Sequence, residues 1–409
     1  MTPFMNTLQN LFLQTTSFPS NNTYNSLNVS PSSLLSFPTP TGLIVTLSSL
    51  ATPNFATSYV LHSTGNLRGS ISYLYTTPSL KIAPSETKEL RSCFEGYQIP
   101  SPLRNVGTRK DWEIWEKGER VDTRDVLLYG MMKIPDGVIN GLYMRRLSPA
   151  RLLKIMAVSE AGMRTDPVDG NGVGTAKKPK GNVLSSIVTD RGKYSYEGLY
   201  STAGGLVGLR GLWNFGWDPN VEEVENQTGR LSIGGEVYYG IFNKSGGVST
   251  GIRYSTLSSY PGPPQTMTLT VNPIIGHFTA TYATKATPAL SLAAQFDFNT
   301  YSYESDLLLG AELWKKPTRT EEDFSLTDFL GETIITDDGR GNVAATASHR
   351  DGEPYLGVLK ARWRQSTGHF GILWESRLKS LLLSVGTTID FRNPDNKFRA
   401  LGLEVQYNS

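Results

Sequence analysis

Apolar and polar side chains alternate residue by residue in segments about ten residues long, from near residue 40 to the C-terminus, and no apolar run reaches about 18 residues. In 288–299, Leu290, Leu292, Ala294, Phe296 and Phe298 share one parity, while Ala289, Ser291, Ala293, Gln295, Asp297 and Asn299 share the other. That is a strand with one oily and one wet face. The parity returns at 66–77, where Leu67, Ile71, Tyr73 and Tyr75 oppose Arg68, Ser70, Ser72 and Thr76, and again at 231–241 and 398–407. A strand rises roughly 3.3 Å per residue, so about ten residues tilted near 45° span about 23 Å, close to the apolar band of a membrane barrel. A soluble sandwich uses the same alternation, but many such strands also close into a barrel.

Composition leaves the membrane open. The 409-residue chain is 38% hydrophobic and 19% charged, with a mean hydropathy of -0.27, yet a barrel needs apolar side chains only at alternate positions. The lack of a long apolar run speaks against a single-helix anchor or helical bundle. The net charge of +2, without a basic stripe interleaved with aromatics, speaks against nucleic-acid binding. The single cysteine, Cys93, has no internal disulfide partner and reads as a passive thiol. The first residues lack a basic n-region with a long apolar core, and they lack an Arg-rich targeting helix. Sequons at Asn21, Asn28, Asn226 and Asn243 carry little weight without a secretory signal.

Two regions emerge: an N-terminal segment over 1–40 and one barrel over 41–409. Phe4, Leu8, Leu11 and Phe12 recur at helical spacing and predict an amphipathic helix over 3–14, too short to stand alone and therefore docked through that face. The Ser-, Asn- and Pro-rich stretch to Pro40 reads as an extended tether. Strands are predicted near 41–49, 55–63, 66–77, 125–132, 138–147, 151–159, 181–189, 191–201, 206–215, 229–241, 247–259, 265–275, 277–285, 288–299 and 302–314. The last four fall near 355–365, 368–378, 380–391 and 398–408, giving an antiparallel sheet of about nineteen. An odd count matters, because bacterial single-chain barrels are even whereas a mitochondrial porin-like barrel has nineteen. Polar excursions near 78–124, 160–180 and 315–354 read as long loops; in the first, Trp112 and Trp115 either anchor a partner or pack locally.

The sequence offers little for catalysis. His62, His277, His349 and His369 form no HExxH or zinc-finger spacing, so no catalytic, metal or cofactor site is predicted. A Ser–His–acid group assembled in space around His277 or His369 stays open. Gly170, Gly172 and Gly174 before Lys177 and Lys178 lack phosphate-loop spacing and read as a flexible hairpin loop, while Glu321, Glu322 and Asp323 read as solvated. Arg68, Arg210, Glu236 and Asp297 oppose apolar runs and are expected to face a lumen, where they either tune solute passage or hold the N-terminal helix.

Several blocks are more specific than alternation: SLLSFPTPTGL at 33–43, SSLATPNFATSYVL at 48–61, GSISYLY at 69–75, GGEVYYGIFNKSGGVSTGIRY at 234–254, TLTVNP at 268–273 and QFDFNTYSYESD at 295–306. On these the chain resembles the fungal mitochondrial distribution and morphology protein 10 family, the outer-membrane barrel subunits of the ER–mitochondria encounter structure. The resemblance implies a nineteen-stranded transmembrane barrel with the N-terminal helix in or near the lumen. It also implies two sets of partners, the other encounter-structure subunits and those of the sorting and assembly machinery, together with outer-membrane phospholipids. The implied role is non-enzymatic: tethering, phospholipid exchange, mitochondrial morphology and inheritance, and late assembly of the import translocase and other outer-membrane barrels. The implied location is the mitochondrial outer membrane at ER contact sites. A metabolite-conducting pore is the alternative.

Tyr73 and Tyr75 on the apolar face, with Tyr301 and Tyr303 bordering a strand, are expected either in an interfacial aromatic girdle or in a partner-docking patch. The final segment resembles the insertion signal of mitochondrial barrels through Gly402, Val405 and Tyr407, although Ala400 holds the usual polar position and Arg399 stands one residue early.

Overall fold

The computed structural model describes residues 1–18, 21–64, 66–100, 103, 114–116, 119–121, 125–148, 150–160, 180–215, 228–257, 259–316, 355–392 and 398–409. Trp112, the glycines and lysines of 170–178, the acidic run at 321–323, His349 and Asn226 lie outside them, as does the side chain of Trp115.

Nineteen strands form one closed sheet. In chain order they are β1 (Gly42–Thr52), β2 (Phe55–Thr64), β3 (Asn66–Thr76), β4 (Val126–Ile134), β5 (Ile139–Ser148), β6 (Arg151–Glu160) and β7 (Lys180–Asp190). Next come β8 (Tyr194–Ser201), β9 (Leu206–Phe215), β10 (Gly229–Gly240), β11 (Ser245–Thr256), β12 (Gln265–Asn272) and β13 (His277–Thr284). The series ends with β14 (Leu290–Asn299), β15 (Ser305–Lys315), β16 (Gly357–Arg364), β17 (His369–Leu378), β18 (Leu381–Asp390) and β19 (Phe398–Asn408). Each strand pairs antiparallel with its sequence neighbours, for example Glu197↔Arg210 between β8 and β9 and Arg210↔Glu236 between β9 and β10.

An odd number of alternating strands leaves the first and last pointing the same way. β1 and β19 accordingly close the cylinder in parallel, with Gly42↔Gly402 through Ser48↔Asn408 in register. Closure pairs every strand edge, the condition for backbone in hydrocarbon. Beyond the register, Leu50 N donates to the Ser409 carbonyl at 3.0 Å and Ser409 N to the Ser48 carbonyl at 3.0 Å.

The expected parity sorts the wall. Leu67, Tyr73, Leu209, Val237, Phe296 and Leu403 are exposed outward, while Ser72, Leu74, Asn214, Ser232, Ala293 and Gln406 on the other parity are buried. Among the described residues no helix is long and apolar enough to cross a membrane; the strands do so.

Strand alternation also defines two rims. Gly42 begins β1 at the start rim, and Thr52 ends it at the opposite rim, from which the connections 77–125 and 316–356 leave. We call the second the loop rim. Apart from the nineteen-stranded sheet, Ile114–Glu116 pairs with Glu119–Val121 as a short hairpin.

The interior holds helix α1 (Phe4–Thr15), helix α2 (Val29–Leu35) and helix α3 (Leu90–Cys93). The expected extended tether is therefore partly helical: a 3-10 turn spans Tyr24–Ser26 and α2 follows it, with Pro31, Leu34 and Leu35 buried. Burial of those side chains against the wall outweighs the turn-forming bias of the surrounding serines, and Pro31 sits early in α2 where a missing N–H costs least.

Candidate functional site

The occupied lumen is the built feature of this molecule. On α1, Phe4, Met5, Leu8 and Phe12 are buried, and Leu8 and Phe12 are 0% exposed. They pack with Phe18 against Ala56, Leu74, Leu127, Met144, Leu152 and Val188, the inward residues of β2 to β7. Leu11 lies at the edge of this cluster, partly buried. Burying each large apolar side chain is worth about 1.5–3 kcal/mol, enough to dock a helix that is marginal by itself.

From α1 the chain follows the inner wall. Asn22 Nδ2 donates to Asp190 Oδ1 at 2.7 Å and to the Gly192 carbonyl at 2.8 Å, where β7 turns into β8. Asn214 of β9 donates to Asn22 Oδ1 at 2.7 Å. Tyr24 meets the Ser249 hydroxyl of β11 at 2.7 Å, and Arg253 Nη1 donates to the Ser26 carbonyl at 3.1 Å. The Thr268 hydroxyl of β12 donates to Asn28 Oδ1 at 2.7 Å.

Leu34 and Leu35 of α2 then pack on Ala283, Ala293 and Leu308. The α2 backbone comes so near β15 that a Cβ on Gly310 would lie 2.9 Å from the Leu34 carbonyl oxygen. Phe37 takes the Arg362 guanidinium over its ring, and Thr39 meets Thr388 of β18 at 3.0 Å. Residues 1–18 and 21–41 thus touch the wall from β2 round to β18.

A second segment turns inward at the loop rim. The sequence predicts 78–124 as a polar loop, but residues 77–100 lie against the wall and the first segment. Leu80 joins the α1 cluster, and Leu90, Cys93 and Phe94 pack on Trp314, Val358 and Leu382. Ser85 donates to the Ser380 carbonyl at 2.6 Å, and Arg377 Nη1 to the Lys88 carbonyl at 2.6 Å. Ser30 of α2 donates to the Gln98 carbonyl at 2.6 Å, and Thr2 N to the Cys93 carbonyl at 3.2 Å, so the two segments tie to each other. Burial pushes the Cys93 thiol up from its ordinary pKa. Isolated Leu and Phe residues in a polar stretch were the available signal; no periodicity accompanies them.

Lumenal charges are paired with one another and with the inner segments. Lys360 Nζ reaches Glu375 at 2.7 Å, and these side chains are 1% and 0% exposed. Lys360 also donates to the Glu95 carbonyl, and the Met1 amine pairs with Glu375. Burying either ion alone would cost several kcal/mol, so each depends on its partner. Arg210 bridges Glu197 at 3.3 Å and Glu236 at 3.1 Å across three strands. Asp297 accepts from the Thr279 hydroxyl at 2.7 Å and from Gln295 at 2.8 Å, while Arg68 is exposed near the start rim.

The tyrosine pairs fall apart in space. Tyr73 and Tyr75 are each 46% exposed on the outward face of β3 toward the loop rim, with Tyr73 stacked on Phe55 at 6.0 Å. Tyr301 and Tyr303, 68% and 81% exposed, occupy the β14–β15 turn at the start rim on a distant sector. One patch cannot contain both pairs.

Gly402 of β19 faces inward, and a Cβ there would lie 2.5 Å from the Pro40 carbonyl, while Val405 and Tyr407 face outward beside the closing seam. His277 lies 3.7 Å from Asp297, and His369 lies 3.3 Å from Asp390 and 2.9 Å from Arg399. No group of three or more His, Cys, Asp or Glu among the described residues is arranged to hold a metal.

The family model of mitochondrial distribution and morphology protein 10 matches residues 1–329 and 336–409. The chain belongs to this family. Relatives bearing that family name are 43% identical in Phaeosphaeria nodorum and 43% identical in Sclerotinia sclerotiorum, each over 100% of both chains. The relative from Yarrowia lipolytica is 34% identical over 100% of this chain and 99% of its own. Membership makes this a protein of mitochondrial distribution and morphology, and its barrel fold points to the mitochondrial outer membrane. The relatives are named for organelle morphology rather than for a reaction.

Proposed function

We propose that the protein is a non-enzymatic scaffold of the mitochondrial outer membrane, working at ER contact sites as a subunit of the ER–mitochondria encounter structure. In that setting it supports tethering, phospholipid exchange and the shape and inheritance of the organelle. A second association, with the sorting and assembly machinery, serves late assembly of the import translocase and other outer-membrane barrels. The family supports the morphological role. The observation that carries scaffold over pore is the lumen: residues 1–18, 21–41 and 77–100 lie within the space a solute would cross. A barrel whose interior is packed is a stiff anchor that presents rims and outer wall to partners.

Alkaline extraction of mitochondria, followed by affinity capture of the full chain, tests this. Retention in the membrane with recovery of both tethering and barrel-assembly subunits is expected; retention with neither class of partner refutes it. Reconstitution with and without residues 1–32 addresses the pore. A wide, stable conductance in both forms favours a pore, whereas poor conductance with partner binding intact favours the scaffold.

A further inference from the structure

Cations gather on one sector of the outer wall. Met144 and Arg146 of β5 are buried toward the lumen, so Arg145 between them points outward. Arg151, opening β6 on the parity opposite to buried Leu152, points outward as well. Outward positions of β4 to β9 hold no carboxylate, and those of β10 to β14 hold no charge of either sign. Arg145 stands in the cross-strand row Arg145↔Leu153↔Ile187, and Arg151 in the row Arg151↔Thr189↔Tyr196, two residues nearer the loop rim. At roughly 3.3 Å per residue and a tilt near 45° the rows differ in depth by about 5 Å, which an arginine side chain spans by snorkelling toward the rim.

The turn from β7 to β8 adds two more cations. Arg191 Nη1 donates to the Tyr194 hydroxyl at 3.1 Å, and Lys193 Nζ lies 5.7 Å from the centre of the Trp213 ring, itself stacked on Tyr194 at 5.7 Å. Tyr196 joins these to the first pair, its hydroxyl bonded to Thr189 and Arg151 and lying in the field of Arg191. None of the four cations has a carboxylate partner among the described residues. Arg145 Nε is, in addition, buried without a hydrogen-bond partner.

We propose that this sector binds the phosphate of an anionic phospholipid from the leaflet at the loop rim, with Arg145 and Arg151 as its clamp. Charge selects the sign of the occupant: four cations stand together with nothing in the protein to neutralise them. Depth selects its kind. Arg145 lies three residues inside the end of β5 at Ser148, about 7 Å down a lipid-facing wall. An acidic protein segment seated on the rim meets Arg191 and Lys193 but must enter the bilayer to meet Arg145; a lipid phosphate is already at that level. Guanidinium forks match phosphate oxygens in pairs, and Tyr194 and Trp213 are the amphipathic rings that settle at headgroup depth.

Binding of this kind requires membrane insertion but no protein partner, and labelling of the wall by the zwitterionic probe below checks insertion by itself. The full chain is reconstituted in phosphatidylcholine vesicles with a trace of phosphatidylglycerol bearing a diazirine on one acyl chain, or of phosphatidylcholine bearing the same group, and adducts are mapped by mass spectrometry. Each interfacial cation is worth about fivefold toward anionic lipid, so the anionic probe should label Leu153 and Ile187 roughly tenfold or more above the zwitterionic one. At Leu292 and Phe296 of β14 the two probes should label equally. Arg145→Gln with Arg151→Gln should bring Leu153 and Ile187 to the β14 ratio, whereas Arg145→Lys with Arg151→Lys, which keeps the charge, should retain most of the excess. If the glutamine pair fails to insert, Arg191→Gln with Lys193→Gln, outside the strands, gives the same comparison, with a fall of about threefold or more expected. One ratio all round the wall overturns the proposal, as does an excess that survives neutralisation. An excess erased by inorganic phosphate assigns the site to a free anion and overturns it too. An even ratio in vesicles, with Lys193 cross-linked to an acidic protein segment in intact mitochondria, overturns it in favour of a protein ligand.

Discussion

Replacing Leu8 and Phe12 with alanine should undock α1 without opening the barrel, and Cys93 supplies the reporter. Both side chains are 0% exposed and sit one helical turn apart in one cluster. Buried Leu→Ala costs about 2–5 kcal/mol and Phe→Ala about 3–5 kcal/mol; sharing a cavity, the two do not add, and about 5 kcal/mol is a fair figure for the pair. Since about 1.4 kcal/mol is a factor of ten, the undocked population should rise on the order of 10³-fold. The strand ladder is untouched, so insertion and strand content should stay as in the parent. Thr2 N and Oγ1 both donate to the Cys93 carbonyl, at 3.2 Å and 2.5 Å, and the cysteine is 4% exposed. Phe4 and Thr7 of α1 stand with Cys93 around one small cavity, so release of α1 opens that side of the cysteine. Maleimide labelling of the inserted protein should therefore accelerate by two to three orders of magnitude, roughly tracking the population, with Cys93→Ser as the blank. Unchanged labelling in a folded double variant would refute docking through this face.

Three further outcomes are expected. Because burial raises the Cys93 pKa, the open state ionises first; lumenal packing of residues 77–100 should hold below the ordinary thiol range and loosen as pH climbs through it, read as labelling that steepens relative to a free thiol. Gly402→Ala places a methyl 2.5 Å from the Pro40 carbonyl and 2.7 Å from that of Gly42, so backbone must move; a loss of about 1–3 kcal/mol in urea unfolding with insertion kinetics unchanged assigns Gly402 to the seam, whereas precursor accumulating outside the mature membrane complex assigns it to the insertion signal together with Val405 and Tyr407. Tyr73→Ala with Tyr75→Ala should combine additively, within about 0.5 kcal/mol, with Tyr301→Ala and Tyr303→Ala in partner capture; strong coupling would contradict the separation of the two pairs.

The barrel was legible because strand parity is written in every segment. The stretch at 181–189 became β7; the parallel closure, which an odd number of alternating strands requires, was not part of the antiparallel sheet expected from the sequence. Phe4, Leu8 and Phe12 were readable for the same reason, since helical spacing survives in a short segment. The remainder of the interior was not. Leu34 and Leu35 sit among serines, and Leu80, Leu90 and Phe94 among prolines and charges, so no period marks them. Their burial comes from the cavity that nineteen strands create, a property of the closed sheet rather than of any local window. Lys360 and Glu375 likewise read as ordinary wet-face charges until their partners from 95 and from the first residue are brought to them.

The parallel seam sets an order of events in the birth of the molecule. β1 and β19 stand at opposite ends of the chain, so the cylinder cannot shut until the last strand has been made. By then the segment coiled inside is attached to the edge awaiting its partner, through Pro40 and Gly42. Laid down early, it serves as the form around which the wall is bent, like a barrel coopered round its own contents. Left outside, it must be threaded in past a finished rim. Parallel pairing is also slightly weaker per residue than antiparallel, so the joint made last is the one most easily undone while the contents settle.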